Sequence, residues 1–445
     1  MSQQPALVRK LSRFDLTIIV IGSVIGSGIF LTPSGIARQL PSPLLILMVW
    51  VLGGLLALSG ALTFAELGAR MPHAGGVYVF LTRAYGGLAG FLYGWAYFLV
   101  VNTGGLAALS IAFATYLGFF VPLSPLGIKL VAIGGLILLT AINYVGVKSG
   151  GIFADVFTLL KLIGIFGVIL VGFVGGQANW DAFTTLWPEK EVPLGHALAL
   201  AMVGVLWSYG GWQHATYVAG ETRNERQNLP FALVTGTFIV VLVYVCTNLA
   251  YFFLLPLEAI AASERVAADA VATILGPLGG QLIAVAIFIS VFGTAGIYTM
   301  TAPRIYYAMA RDGVFFPKLA EIHPRFHVPT YAILFQTVWA IFLILSGTFY
   351  QLITYVAFTD WIFFALAGAS VFIFRRRSHS QAEGFKTPGY PFTPLFFVIV
   401  STWFVLNTLV SSPMQSLAGL GFLALGIPVY VYWKRRLKTG GGRNP

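Results

Sequence analysis

Apolar runs punctuated by charged residues, proline or glycine follow one another along the chain at 14–38, 41–68, 87–119, 125–144, 149–175, 195–220, 229–255, 279–311, 329–347, 350–374, 391–411 and 413–433. Each is about long enough to cross a hydrocarbon core, which takes roughly 20 residues as a helix. Lipid offers no partner to a backbone N–H or C=O, so a spanning segment must bond within itself; a barrel would show weak alternations about ten residues long instead. The pattern predicts an all-α membrane protein with twelve transmembrane helices. No linker rich in serine, proline or charge divides the runs, so residues 1–445 read as one transmembrane domain. The first run lacks the cleavage site of a secretory signal and reads as a retained span.

Composition agrees: 58% of residues are hydrophobic and 9% charged, against roughly 45–50% and about 25% in soluble proteins. The net charge of +11 sits in short loops rather than in a basic patch interleaved with aromatics, which argues against nucleic acid. With the N-terminus inside, all of the 26 Lys and Arg fall at the inner side except Arg38, Lys129, Lys190 and Arg265, which lie outside, and Lys161, which lies within a span. Positive-inside logic therefore puts both termini in the cytoplasm and the protein in the cytoplasmic membrane as a multi-pass chain, with the lipid bilayer as its surroundings. Cys246 is the only cysteine, so no internal disulfide or thiolate cluster can form. The only close histidine pair, His323 and His327, is flanked by Pro324 and Pro329 and cannot form a helical metal pair. Neither metal nor cofactor is expected, and no catalytic carboxylate pair suggests an enzyme. A channel would show rings or filters of repeated polar residues.

Two spans carry glycine clusters near their middles. Gly22, Gly26 and Gly28 fall within residues 21–28, and Trp207-Ser-Tyr-Gly-Gly-Trp212 contains Gly210 and Gly211. Glycine weakens a helix by about 1 kcal/mol relative to alanine, so each cluster permits local unwinding. Close helix packing is the other common use of membrane glycine, but the separation favours a repeat. About 184 residues lie between Gly26 and Gly210, close to the offset between the starts of the first and sixth spans. A five-helix repeat, 14–175 and 195–374, must be inverted because five is odd, and 391–433 then holds two extra helices. Loops 69–86 and 256–278 are each long enough for an interfacial helix. Broken helices at matching positions of two halves point to a transporter site.

Unwinding exposes main-chain groups that a ligand can satisfy. Amides at Ser27 and Gly28, opening the second half of the first span, would face a carboxylate. Carbonyls near Trp207 would accept from an ammonium. A zwitterion such as an α-amino acid fits both. Gln213, Asn102 and His214 are further polar candidates for the lining, though each could equally bond a neighbouring helix.

Ile25-Gly-Ser-Gly-Ile-Phe30, Trp207-Ser-Tyr-Gly-Gly-Trp212, and the run from Thr301-Ala-Pro-Arg-Ile to Ala310-Arg-Asp-Gly313 with His323-Pro324 stand in order along the chain. In these, from about residue 10 to residue 435, the chain resembles a bacterial member of the L-type amino acid transporter family of the amino acid, polyamine and organocation superfamily. The resemblance implies a five-plus-five inverted repeat with broken helices one and six, two extra helices, and alternating access. It also implies that the carbonyls of Val24, Ile25 and Trp207 hold the amino group while Ser27 and Gly28, beside Gly26, hold the carboxylate. Trp207 stands at the family's aromatic gate, commonly Phe. Gly210 and Gly211 leave no acid where relatives handling cationic amino acids can have Asp, which favours neutral substrates. Animal members carry, between spans three and four, a cysteine bonded to a glycoprotein; Phe120-Val-Pro-Leu-Ser-Pro-Leu-Gly127 has none, so no disulfide-linked accessory subunit is expected. The function so implied is sodium-independent exchange of neutral L-amino acids, with proton-coupled or uniport uptake as the alternative.

Lys161 lies about 12 residues, roughly 18 Å, into its span, where snorkelling is difficult. In sodium-coupled relatives of the fold a cation sits where its ammonium would bridge helix five to the unwound part of helix one. A fixed ammonium satisfying carbonyls, or an amine that loads and releases a proton, are the other readings. Asp155, Glu66 and Glu221 suggest helix-end pairing with arginines such as Arg70 and Arg223. Asp360 stands about ten residues into the tenth span, in reach of the pathway unless the run from Thr348 to Thr359 lies near the outer surface.

Overall fold

The computed structural model describes residues 6–177, 180–183, 194–347, 349–377, 384–411 and 413–439. Lys190 and Arg443, counted above in the loop charges, lie outside the described residues. Helix is the only regular secondary structure among the described residues, which form no strand; Leu11 and Thr222 meet in one isolated parallel bridge. In chain order the helices are α1 (Arg13–Val24), α2 (Gly28–Gln39), α3 (Pro43–Arg70), α4 (Val77–Tyr85), α5 (Gly87–Ala96), α6 (Asn102–Leu117), α7 (Pro125–Tyr144), α8 (Val147–Gly175), α9 (Leu194–Ser208), α10 (His214–Tyr217), α11 (Glu225–Leu254), α12 (Leu257–Ala262), α13 (Val266–Leu275), α14 (Pro277–Thr301), α15 (Pro303–Arg311), α16 (Thr330–Ser346), α17 (Phe349–Arg377), α18 (Phe392–Ser411) and α19 (Pro413–Thr439).

Local chemistry sets several starts. Ser12 caps α1, accepting from the Asp15 amide at 3.2 Å while the Asp15 carboxylate accepts from the Ser12 amide at 2.6 Å. This reciprocal pair satisfies two otherwise orphan donors. Ser42 and Ser124 cap α3 and α7, each followed by a proline that needs no acceptor for an N–H. Among the described residues, nine helical stretches are long and apolar enough to cross a membrane, and Ala197–Ser208 and Thr330–Ser346 are shorter apolar helices.

Two interruptions fall at the glycine clusters, as the sequence predicts, and a third, a π-helical turn, is not legible in the apolar pattern. The run 195–220 is not one helix: α9 ends at Ser208 and only α10 follows. The run 14–38 is interrupted at 25–27. Within 87–119 a π-helical turn, Tyr97–Val101, separates α5 from α6, and the Asn102 amide donates to the Tyr97 carbonyl five residues back. Loop 69–86 contains α4, and loop 256–278 contains α12 and α13.

α1 lies at the centre, with every residue from Ile18 to Val24 buried, packed against α11, α8 and α14. α8 shows the two faces of a peripheral span. Thr158, Lys161, Ile165, Val168 and Gly172 are buried at helical spacing, while Ile163 and Phe166 stand 68% and 64% exposed on the side left for lipid.

Candidate functional site

The interruption in α1–α2 begins at Ile25, whose extended backbone (φ −74°, ψ 90°) ends the helix. The Gly26 amide turns back to the Val24 carbonyl at 2.9 Å. The amides of Ser27, Gly28 and Ile29 then find no protein acceptor among the described residues. They open α2, where the helix dipole is positive. The second interruption runs from Tyr209 to Gln213. Gly211 adopts φ +121°, and a Cβ there would lie 2.4 Å from the Ser23 carbonyl oxygen; only glycine fits both the backbone and the space. The carbonyls of Ser23 and Leu206 accept no protein hydrogen bond among the described residues, and that of Trp207 accepts only the Gly210 amide, at 3.2 Å.

The two breaks press together. Ser23 donates to the Gly211 carbonyl at 2.9 Å, and Thr32 Oγ1 and Ser208 Oγ are 2.9 Å apart. A Cβ on Gly28 would meet Ser208 Cα at 2.9 Å. The Tyr244 hydroxyl, from α11, reaches the carbonyls of Val24 and Ser208 at 3.1 Å each, one proton shared between the two breaks. Gln213 Oε1 accepts the Gly211 amide at 3.0 Å.

Between the breaks and α6, α14 and α17 lies a cavity of about 320 Å³, within the range of small-molecule sites. Val24, Gly26, Ser27, Gly28, Trp207, Gly210, Gly211 and Gln213 line it, as do Asn102, His214 and Asp360. It extends toward the C-terminal ends of α2 and α6, past Leu31, Leu109 and Ala112. Trp207 lines it while remaining 38% exposed.

Ile25 is placed otherwise than the resemblance implies. It is absent from the cavity wall and fully buried. Its carbonyl is occupied: Lys161 donates to it at 2.6 Å, Thr294 Oγ1 stands 3.0 Å away and Ser290 Oγ 3.3 Å. An unwound segment has carbonyls on several sides, and this one faces α8 and α14. The Val24 carbonyl likewise already receives Tyr244 and Gly26. Lys161 stands behind the break. Its three ammonium donors go to the Gly22 carbonyl (2.9 Å), the Ile25 carbonyl (2.6 Å) and Thr294 Oγ1 (2.8 Å).

The other acids divide by partner. Glu221 is fully buried and held by Arg304, 83 residues away, at 2.6 and 2.9 Å, not by Arg223. Glu66 receives Arg70 at 2.8 Å, Arg375 at 2.6 and 2.9 Å, and the Thr387 amide at 2.8 Å. Asp155 has no arginine partner among the described residues, and its Oδ1 is buried without a hydrogen bond. The end where α1 begins is strapped as well. The amides of Lys10 and Leu11 donate to the Glu221 carbonyl at 2.9 and 3.0 Å, and that of Arg223 to the Leu11 carbonyl at 2.9 Å.

Ser290, Thr294 and Tyr244 complete the site without having been singled out in the sequence. The four-residue spacing of Ser290 and Thr294 was the available signal, but Thr294 also bonds its own helix through the Ser290 carbonyl at 3.0 Å, the ordinary use of a helical threonine.

Residues 11–431 match the model of a family described as amino acid permease. The chain is 33% identical over 433 residues to the serine/threonine exchanger SteT of Bacillus subtilis, covering 95% of this chain and 96% of that one. It is 30% identical over 445 residues to the mouse large neutral amino acids transporter small subunit 2, covering 97% and 83%. With the mouse b(0,+)-type amino acid transporter 1 the identity is 29% over 432 residues, covering 94% and 88%.

Proposed function

The chain belongs to the amino acid permease family, and from that premise we propose that it exchanges neutral L-amino acids across the cytoplasmic membrane by sodium-independent alternating access. The observation that carries this reading is the cavity walled by both breaks, with open amides at Ser27 and Gly28 and open carbonyls at Ser23 and Leu206. The substrate carboxylate bonds the Ser27 and Gly28 amides at the positive end of α2. Its ammonium bonds carbonyls of the second break, Leu206 and Trp207, with Ser23 beside them. Main-chain recognition of this kind holds every α-amino acid and leaves side-chain choice to the wall.

The architecture proposed is twelve spans, with repeats at about 14–175 and 195–374 inverted about the membrane plane and two extra helices at 391–433. Helices after the second and seventh spans, and breaks at matching places, support it. The loop arginines and lysines support cytoplasmic termini. With that orientation the cavity faces outward, and the strap of residues 10–11 on Glu221, with the Arg304 ion pair, closes the inner side. Lys161 bridges α8, the first break and α14, filling with a tethered ammonium the acceptors that a mobile cation would need; this supports sodium independence. The lone Cys246 lies within α11, which supports a transporter without a disulfide-linked subunit.

Counterflow tests the reading. Purified protein in vesicles preloaded with unlabelled amino acid should accelerate entry of labelled amino acid, equally with and without sodium. Entry independent of the preload counts against exchange, and acceleration only on a proton gradient favours proton-coupled uptake.

A further inference from the structure

Asp360 lines the cavity beside Trp361 and Phe364, and its Oδ1 is buried without a hydrogen-bond partner. No lysine or arginine pairs with it among the described residues. Lys161, the cation nearest the first break, has its three donors committed to Gly22, Ile25 and Thr294 and is not part of the wall.

Several of the polar groups near the carboxylate are committed to one another, while the Tyr298 hydroxyl, also in the cavity wall, has no hydrogen-bond partner among the described residues. Thr301 donates to the Ile297 carbonyl at 2.8 Å, so toward His214 Nδ1, 2.6 Å away, it accepts. That places the imidazole proton on Nδ1 and leaves Nε2 to accept from the Tyr97 hydroxyl at 3.0 Å. The Tyr97 proton is therefore spent on histidine. Tyr93 and Tyr217 bond each other at 2.6 Å, one of the two donating and the other accepting. Asn102 donates Nδ2 to Gln336 at 2.8 Å, and its Oδ1, like that of Asp360, is left without a partner. Two residues of the wall thus carry a side-chain acceptor without a partner, Asp360 Oδ1 and Asn102 Oδ1. Glu66 and Glu221, also buried, are each saturated by arginine. A carboxylate removed from water without a partner is costly, and a donor that enters the cavity can relieve Asp360.

We propose that Asp360 is a specificity-determining residue, accepting a hydrogen bond from the substrate side chain and so selecting amino acids whose side chain carries a donor, a hydroxyl or an ammonium. The inference rests on the transport reading above, in which main-chain groups of the breaks hold the α-carboxylate and α-ammonium and leave this acceptor to the side chain; a hydroxyl keeps the substrate within the neutral class proposed there, and an ammonium would widen that class. A site built to receive a donor disfavours the isostere that lacks it, because the acceptor is then left buried and unpaired.

The test compares isosteric pairs with the full-length protein in vesicles: threonine against valine, and ornithine against norleucine. In the wild type the donor-bearing member of at least one pair should be favoured by about tenfold or more in kcat/KM; the first pair reads a hydroxyl and the second an ammonium. Asp360→Leu should bring that ratio to within about twofold of unity. Asp360→Asn, which keeps an acceptor but no charge, should retain more of a threonine preference than of an ornithine preference. A ratio unchanged in Asp360→Leu overturns the proposal, as does a wild type without preference in either pair. If Asp360→Leu does not insert, the wild type decides through labelling with dicyclohexylcarbodiimide, located by peptide mass. Threonine or ornithine should protect Asp360 where valine or norleucine does not, and equal protection overturns the proposal. Absence of counterflow with every amino acid would instead remove the transport reading itself.

Discussion

At the end where α1 begins, Glu221 is gripped by two nitrogens of Arg304, and Glu66 by Arg70, Arg375 and the Thr387 amide. In the cavity, the amides of Ser27 and Gly28 and the carboxylate of Asp360 hold nothing. Both regions bury polar groups and both are built from interrupted or terminating helices. The difference is saturation. A buried group whose partners come from the protein fixes helices to one another, whereas one left open in a cavity is a place for something that arrives and leaves.

The comparison breaks most visibly at the saturated end. Glu221→Ala leaves Arg304 as a buried, unpaired cation, and removing one member of such a pair costs about 3–5 kcal/mol. A large fall in the thermal midpoint of the detergent-purified protein is expected, with recovery in the double variant Glu221→Leu, Arg304→Met. Unchanged stability in the single variant would mean that this end is not held as described.

The open end should respond in transport more than in folding. In Gly28→Val the new Cβ would sit 2.7 Å from Ser208 Oγ and 2.9 Å from its Cα, over the amides assigned to the carboxylate. Charge-assisted bonds to such groups contribute about 1.5–3 kcal/mol each, so counterflow should fall roughly 100-fold while membrane insertion, read by gel filtration, persists. Normal transport by this variant would move the carboxylate elsewhere.

Lys161 belongs to the saturated class although it touches the open one. Lys161→Ala strips donors from Gly22, Ile25 and Thr294 and should slow translocation by about tenfold, the scale of one lost bond to a charged group. Transport at the wild-type rate at every pH tested would end the bridging role. Tyr244→Phe is the mildest change. It removes one neutral hydroxyl shared by both breaks, worth about 1 kcal/mol, and should raise KM about fivefold with little effect on stability.

The helix positions were legible because lipid forces long apolar runs, and the breaks because glycine clusters interrupt them. What the clusters could not reveal is direction. They announce that main-chain groups near residues 25 and 207 are released, but whether a carbonyl faces substrate or a neighbouring helix depends on side chains far along the chain. Ile25 illustrates this: its carbonyl goes to Lys161, 136 residues on. The same distance problem hid the true partner of Glu221, for which Arg223 was nearer in sequence than Arg304. Tyr244 and Thr294 were hidden by likeness, since a polar residue in an apolar run more often bonds its own helix.

The wide turn at Tyr97–Val101 inserts an extra residue into a long helix. One residue of helix corresponds to about 100° of rotation, so this surplus sets the azimuth of everything after it, including the stripe of Asn102, Gly105 and Leu109 that faces the cavity. Deleting a single residue there would preserve hydrophobicity and very nearly preserve length, yet swing that stripe off the chamber. The number of residues in this short stretch therefore decides which side chains the chamber meets.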